Sequence, residues 1–279
     1  MGRAPMALVF ELVRQGRNGL HILSLPNPLP AEILVAAGAA SRVEFLFAAI
    51  SLDGGVRPMP CLKRAIEGGA IEWHEHDGYR IVQRLRAAAM GVPFLPVPDF
   101  DATELARRSP LPSVTDPFTG ESVPVEAAFH PDVALIHARA ADHRGNLWIE
   151  DPTTDLPIAG AARRIVATVE ERVDRVPSAT IPGFMVDVVV EEPFGAYPTG
   201  CVGVYPADEE HLDLYLNGAA RGDEAWLPHY EEPRFHGDAE TYPLHLNTYK
   251  TMPRAEGRGG APARDEPELD GAGQLDLLG

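Results

Sequence analysis

The sequence predicts an α/β fold with an open, mostly parallel sheet and helices on both faces. Three observations predict it. Four segments are short and almost wholly apolar, VEFLFAAI (43–50), DVALIHA (132–138), IVATV (165–169) and VDVVV (186–190), as strands covered on both faces must be. Between them lie stretches whose apolar residues recur three and four apart, the spacing of a helix with one buried face. Helix-type and strand-type segments alternate over the first 190 residues, the order that builds parallel strands with crossover helices.

Each element follows from its own residues. Pro5 stands where a helix can begin, because its missing N–H would be unpaired there anyway. Met6, Val9, Phe10, Leu12 and Val13 then form one apolar stripe. LHILSL (20–25) reads as a strand, PAEILVAAGAA (30–40) as a helix and VEFLFAAI (43–50) as a buried strand. CLKRAIEGG (61–69) is a short helix stopped by its glycines. IEWHE (71–75) is a short strand. From Asp77 to Met90, Ile81, Val82, Leu85, Ala88 and Ala89 line one helix face, with Arg80, Arg84 and Arg86 on the other. PFLPV (93–97) and the three later apolar segments supply further strands. Beyond residue 191 Gly and Pro dominate, a helix follows near 207–220, and from Arg221 the composition turns to Pro, Gly, Asp, Glu and Arg. The expected organisation is a domain over 1–220 and an atypical tail over 221–279, disordered after about residue 253.

Composition bounds the function. The net charge of −17, from 24 Lys and Arg against 41 Asp and Glu, excludes the basic surface that nucleic acid requires. No apolar run reaches the ~18–20 residues of a membrane span. Cys61 and Cys201 have no CxxC spacing and read as reduced thiols of a cytoplasmic protein. There is no GxSxG elbow, no GxGxxG after the first strand and no Walker loop.

Several segments in one order carry a resemblance. They are GRAPMALVFELVRQG (2–16), RVEFLFAAI (42–50), GVPFLP (91–96), DPFTGE (116–121), PDVALIHARAADHRGN (131–146) and RRIVATVEERV (163–173). Together they resemble the α-subunit of the family I CoA-transferases, of the glutaconate CoA-transferase A type, from about Gly2 to Gly218. The resemblance implies an open Rossmann-like sheet of the CoA-transferase class and an active site shared with a β-type subunit. It implies that the β-part supplies the glutamate that attacks the acyl-CoA thioester. Acyl-CoA and a small carboxylic acid would then be substrates, with CoA entering as substrate and no resident cofactor. Relatives carry a helix, a central first strand and a Gly-Gly-rich loop ahead of the GRxPM helix. Met1-Gly2-Arg3 falls inside that loop, so the resemblance implies that this N-terminal strand is missing here.

Glu75 is the candidate catalytic residue. It closes a strand ahead of a helix, where open α/β sheets bind ligands, and the resemblance extends to ring-opening hydrolases of the same fold, which implies a catalytic glutamate in this region. A surface carboxylate is the plainer reading, with Asp77 as helix cap. Arg139, Gly145 and Asn146, on the strand and turn ARAADHRGN, are candidates for contact with substrate or CoA; a salt bridge for Arg139 and a tight structural turn for Gly145-Asn146 are the alternatives. His74 and His76 flank Glu75 in an HxH pair, but no further ligand is identifiable and no metal is expected. Residues 230–259 resemble a C-terminal segment of molybdopterin oxidoreductases in their YPLHLNTY run, or are an ordinary acidic tail. Two alternatives stand beside the transferase reading: half of a CoA-ester ring-opening hydrolase of the same fold, and a truncated or fused non-catalytic chain.

Overall fold

The computed structural model describes residues 2–52, 54–98 and 104–222. The chain divides into two units, residues 1–234 and 235–279. The tail after residue 222, including the 230–259 segment, lies outside the described residues.

Helix α1 (Met6–Arg14) starts directly after Pro5 and buries its predicted stripe. Strand β1 (Leu20–Ser24) leads through Asn27, whose side chain accepts from the Leu29 N–H at 3.0 Å, into α2 (Leu29–Ala36). That helix is shorter than expected, because Gly38 takes a positive φ of 69° and β2 already begins at Ala40 (Ala40–Phe45). The predicted strand 43–50 is two strands. Phe45 pairs with the last residues of both neighbours, Ser24 and Glu75, so the ladder has no partners beyond it. The chain bends at 46–48, and β3 (Ala49–Leu52) turns back as a hairpin with β4 (Gly55–Pro58).

Helix α3 (Pro60–Glu67) has its first N–H groups capped from a distance: the buried Glu32 carboxylate accepts from Cys61 N at 2.8 Å and Leu62 N at 2.7 Å. β5 (Glu72–Glu75) precedes α4 (Gly78–Met90). Asp77 caps α4 through Tyr79 N and Arg80 N, as its position implied, and Gly91 ends it at φ 69°. β6 (Phe94–Pro96), the short α5 (Glu104–Arg108), β7 (Ser113–Thr115) and β8 (Ser122–Ala127) follow, and β6-β8-β7 make a small antiparallel sheet. β9 (Val133–Asp142), β10 (Leu147–Trp148), α6 (Asp155–Ala161), β11 (Arg164–Val173), β12 (Val188–Glu191) and α7 (Glu209–Ala220) complete the described chain.

The parallel strands form two sheets, β1-β2-β5 and β10-β9-β11-β12, with only β10 antiparallel in the second. The α/β class and the parallel preference therefore hold, but the sheet comes in two pieces. Among the described residues, β1 pairs on one side only, with β2, and the first half of β9 only with β11. One hydrophobic core packs Ala134, Ile136, Ala138, Ile165, Ala167 and Val169 of β9 and β11 against Leu147, Ala159 and Ile181. α4 and α6 meet closely: a Cβ on Gly160 would stand 2.9 Å from that of Ala89. No helix among the described residues is long and apolar enough to cross a membrane.

Candidate functional site

A cavity of about 470 Å³ lies between the chain leaving β1 and the near edge of β9. Its polar wall includes Arg3, Asn27, Ser51, His137, Asp151 and Asp155. Arg3 organises that wall. Its guanidinium reaches Asp155 through two hydrogen bonds, at 3.1 and 2.9 Å, donates to Asp151 at 3.2 Å and to the His137 carbonyl at 2.6 Å. Burial works against the charge, but the two carboxylates outweigh it and raise the Arg3 pKa. A planar, forked cation matches this arrangement of acceptors; a point charge does not.

A second network lies behind the wall. His137 and Thr168 are register partners on β9 and β11, and Glu170 follows two residues on, so all three side chains share one sheet face. His137 Nδ1 meets Thr168 Oγ1 at 2.9 Å, and Nε2 meets Glu170 Oε1 at 2.7 Å. The Tyr205 hydroxyl donates to the same oxygen at 2.7 Å, and Phe194 N–H to Oε2 at 2.7 Å. Burial lowers the His137 pKa despite Glu170, and burial raises that of Tyr205. Phe194 has a positive φ of 62°, an uncommon geometry for a non-glycine residue. The segment that carries it also grips the start of α1: Ala7 N–H donates to the Gly195 carbonyl, and Ala4 N–H to Thr199 Oγ1, both at 2.9 Å.

The sequence candidates lie elsewhere. Glu75 is exposed at the end of β5, on the edge of the β1-β2-β5 sheet. Arg139 sits on β9, paired with Glu150 and stacked over Trp148 at 4.5 Å. Gly145 and Asn146 form the β9–β10 turn. Gly145 has φ 76°, Asn146 Nδ2 donates to Asp142 at 2.9 Å, and Asn146 Oδ1 accepts from Gly183 N at 2.8 Å. The last three share one end of the second sheet, Glu75 belongs to the first, and none of the four lines the cavity. The salt bridge and the tight turn, the alternatives weighed for Arg139 and Gly145-Asn146, are both realised. The His76 ring donates to Glu44 at 2.6 Å, and its centroid lies 4.4 Å from that of His74. Sequence reasoning passed over Arg3 and gave no site role to His137, one of several scattered histidines, or to Glu170, which after its strand end reads equally as a solvated charge. The signal for them was His137 inside an apolar strand, since a buried imidazole requires a partner.

From its exposure, Glu75→Gln is expected to leave kcat near wild type in the assembled enzyme and to change stability by less than about 1 kcal/mol. A loss of roughly 10²-fold in kcat with unchanged folding would instead place it in the chemistry.

The Coenzyme A transferase family pattern matches residues 1–192. An uncharacterised protein of Archaeoglobus fulgidus is 34% identical over 82% of this chain and 53% of its own length, so the chain spans about half of that relative. The A-type chain of 3-oxoadipate CoA-transferase from Pseudomonas knackmussii is 30% identical over 81% of this chain and 83% of that one. The cholesterol ring-cleaving hydrolase IpdA subunit of Rhodococcus jostii is 31% identical, covering 80% of each. Among solved structures, a variant of the decarboxylase AibA/AibB superposes with a TM-score of 0.78 at 64% identity, over 81% of this chain and 86% of that chain. Glutaconate coenzyme A-transferase of Acidaminococcus fermentans superposes with a TM-score of 0.72 at 28% identity, over 82% and 79%. With its parallel α/β architecture and a family match over more than half its length, this chain belongs to the coenzyme A transferase family.

Proposed function

We propose that this chain is the α-type half of a two-chain enzyme that works on CoA thioesters. The observation that supports this most is its alignment, over most of its length, with family members named as the A-type chains of CoA-transferases. Its own thiols agree with a nucleophile that comes from a partner. Cys201 is buried, and burial together with Glu32 pushes the Cys61 thiol up to about 11.

In the transfer reading, a glutamate of a β-type partner attacks the thioester carbonyl. The C–S bond breaks, giving an acyl-glutamyl anhydride and CoA thiolate. The thiolate attacks the glutamyl carbonyl, the first acid leaves as its carboxylate, and a glutamyl-CoA thioester remains. A small carboxylic acid then takes CoA by the same steps in reverse. CoA passes through as substrate, and no resident cofactor is required. The proposed setting is the cytoplasm, where two unpaired thiols persist.

A second reading is decarboxylation of a CoA-bound acid. Its support is the 64% identity to the decarboxylase structure, about twice that to the transferases. There the C–C bond to the carboxylate breaks, CO₂ leaves, and the electron pair is held in conjugation with the thioester until a proton arrives. Ring-opening hydrolysis, the activity of the IpdA relatives, would add water to the substrate instead.

Co-expression with a β-type chain, followed by assays of CoA exchange and CO₂ release, separates these readings. The isolated chain is expected to show no turnover and the pair to show one activity. CoA exchange supports transfer, and CO₂ release without exchange supports decarboxylation. Full turnover by the isolated chain would reject the two-chain proposal.

A further inference from the structure

We propose that His137, Glu170 and Cys201 form a binding site for a divalent transition-metal ion of the zinc type. Three separate stretches of chain bring these residues together: β9, β11 and the segment after β12. All three are buried, and their ligand atoms lie within 4.8 Å of one another. An imidazole nitrogen, a carboxylate oxygen and a cysteine sulfur make a donor set suited to zinc and its neighbours. Magnesium and calcium prefer oxygen alone. Among the described residues, the HxH pair at His74 and His76, the sequence's own candidate, belongs to no such group.

The surroundings are those of an oriented ligand set. His137 Nδ1 is fixed on Thr168 Oγ1 at 2.9 Å, leaving Nε2 directed at Glu170 Oε1 at 2.7 Å. Metal-bound histidines are oriented in the same way, through a hydrogen bond at the nitrogen that does not bind. The Tyr205 hydroxyl, 2.7 Å from Glu170 Oε1, offers a neighbouring oxygen. Gly195 lets the chain close over the ring: a Cβ there would stand 3.0 Å from His137 Cε1 and Nδ1.

The proton balance of binding closes. The ion takes the Nε2 lone pair once the ring proton moves to Nδ1. The Thr168 hydroxyl turns from donor to acceptor to receive it. Glu170 exchanges the Nε2–H bond for the ion, and the Cys201 S–H proton leaves to solvent. One proton is released per ion, with no change of oxidation state. The bound ion would tie the segment from Phe194 to Tyr205, which grips the start of α1, to the centre of the second sheet. Its role is to fix structure, and it does not depend on which CoA chemistry the assembled enzyme performs.

Cobalt(II) tests this in the full-length chain after treatment with a chelator. One equivalent is expected to give a thiolate-to-cobalt charge-transfer band, displaced by zinc and accompanied by a rise in Tm. Cys201→Ser should abolish the band, and Cys61→Ser should keep it. No band at one equivalent, or a band that survives Cys201→Ser, overturns the proposal. Should Cys201→Ser fail to fold, X-ray absorption of the zinc-loaded wild-type chain decides. One sulfur with nitrogen and oxygen neighbours supports the site, and an all-oxygen shell rejects it.

Discussion

Glu44→Gln is expected to lower stability by roughly 3 kcal/mol, toward the lower end of the cost of breaking a buried ion pair. Glu44 is 1% exposed near the C-terminal end of β2 and accepts from four side chains. His76 reaches it at 2.6 Å, Arg84 and His21 at 2.9 Å, and Arg42 at 3.1 Å. Glutamine keeps the shape and removes the charge. The mostly buried Arg84 then loses its nearer carboxylate, with Glu126 left at 3.9 Å, and the buried His76 faces a neutral acceptor in place of a charged one. The cost stays near the lower end because the Arg42 and His21 side chains are 46% and 38% exposed and water already screens them. Urea denaturation should show a lower midpoint at unchanged slope. A shift below about 0.5 kcal/mol, the scale of an ordinary surface change, would show that the network is not structural.

The same residue sets a pH dependence. Burial alone would raise the Glu44 pKa; the His76 hydrogen bond and the Arg84 charge outweigh it and hold the carboxyl well below its usual range. A folded pKa below the unfolded one stabilises in full above the unfolded value, about 4.3 for glutamate. That contribution is lost as pH falls further toward the folded pKa. Wild type should therefore lose stability on acidification through this window faster than Glu44→Gln. Parallel curves would rule out Glu44 as the source.

The residues that make these networks show where the sequence was legible. Local rules placed most elements: the apolar runs of β9 and β11, the stripe of α1, and Asp77 as cap of α4. The split of the 43–50 strand was not legible, because it depends on where the neighbouring strands stop. The candidate cavity was not legible either, since it rests on partners far apart in the chain. Arg3 meets Asp151 and Asp155 across separations of 148 and 152 residues, and Glu170 meets His137 only through the β9–β11 register. A trace did exist. Glu32 and Glu44 each interrupt an otherwise apolar segment, and a carboxylate there must be paired or capped, as both are. The reading of Glu75 used its place at a strand end, which does not show whether the side chain points into a cavity or into water.

Arg3→Met is expected to cost about 3–5 kcal/mol, the range for removing one partner of a buried ion pair. The Arg3 side chain is 5% exposed and that of Asp155 is 13% exposed, so this pair is largely shielded from bulk solvent, whereas Asp151 at 33% is partly hydrated and contributes less of the loss. The loss falls on three acceptors together: Asp155, Asp151 and the His137 carbonyl. It also releases the start of α1 from the cavity wall. Arg3→Lys should fall in between, because an ammonium cannot make the forked contact with Asp155 while reaching Asp151. If the cost comes from orphaned carboxylates, removing the main one should recover much of it. Arg3→Met with Asp155→Leu should then regain at least about half of the loss, as apolar replacements of buried ion pairs do. For a domain of this size each kcal/mol moves Tm by about 2–4 °C, so the single and double variants are separable by thermal melts. Additive losses in the double variant would show that Arg3 and Asp155 contribute independently, and the ion pair would not be what holds the wall together.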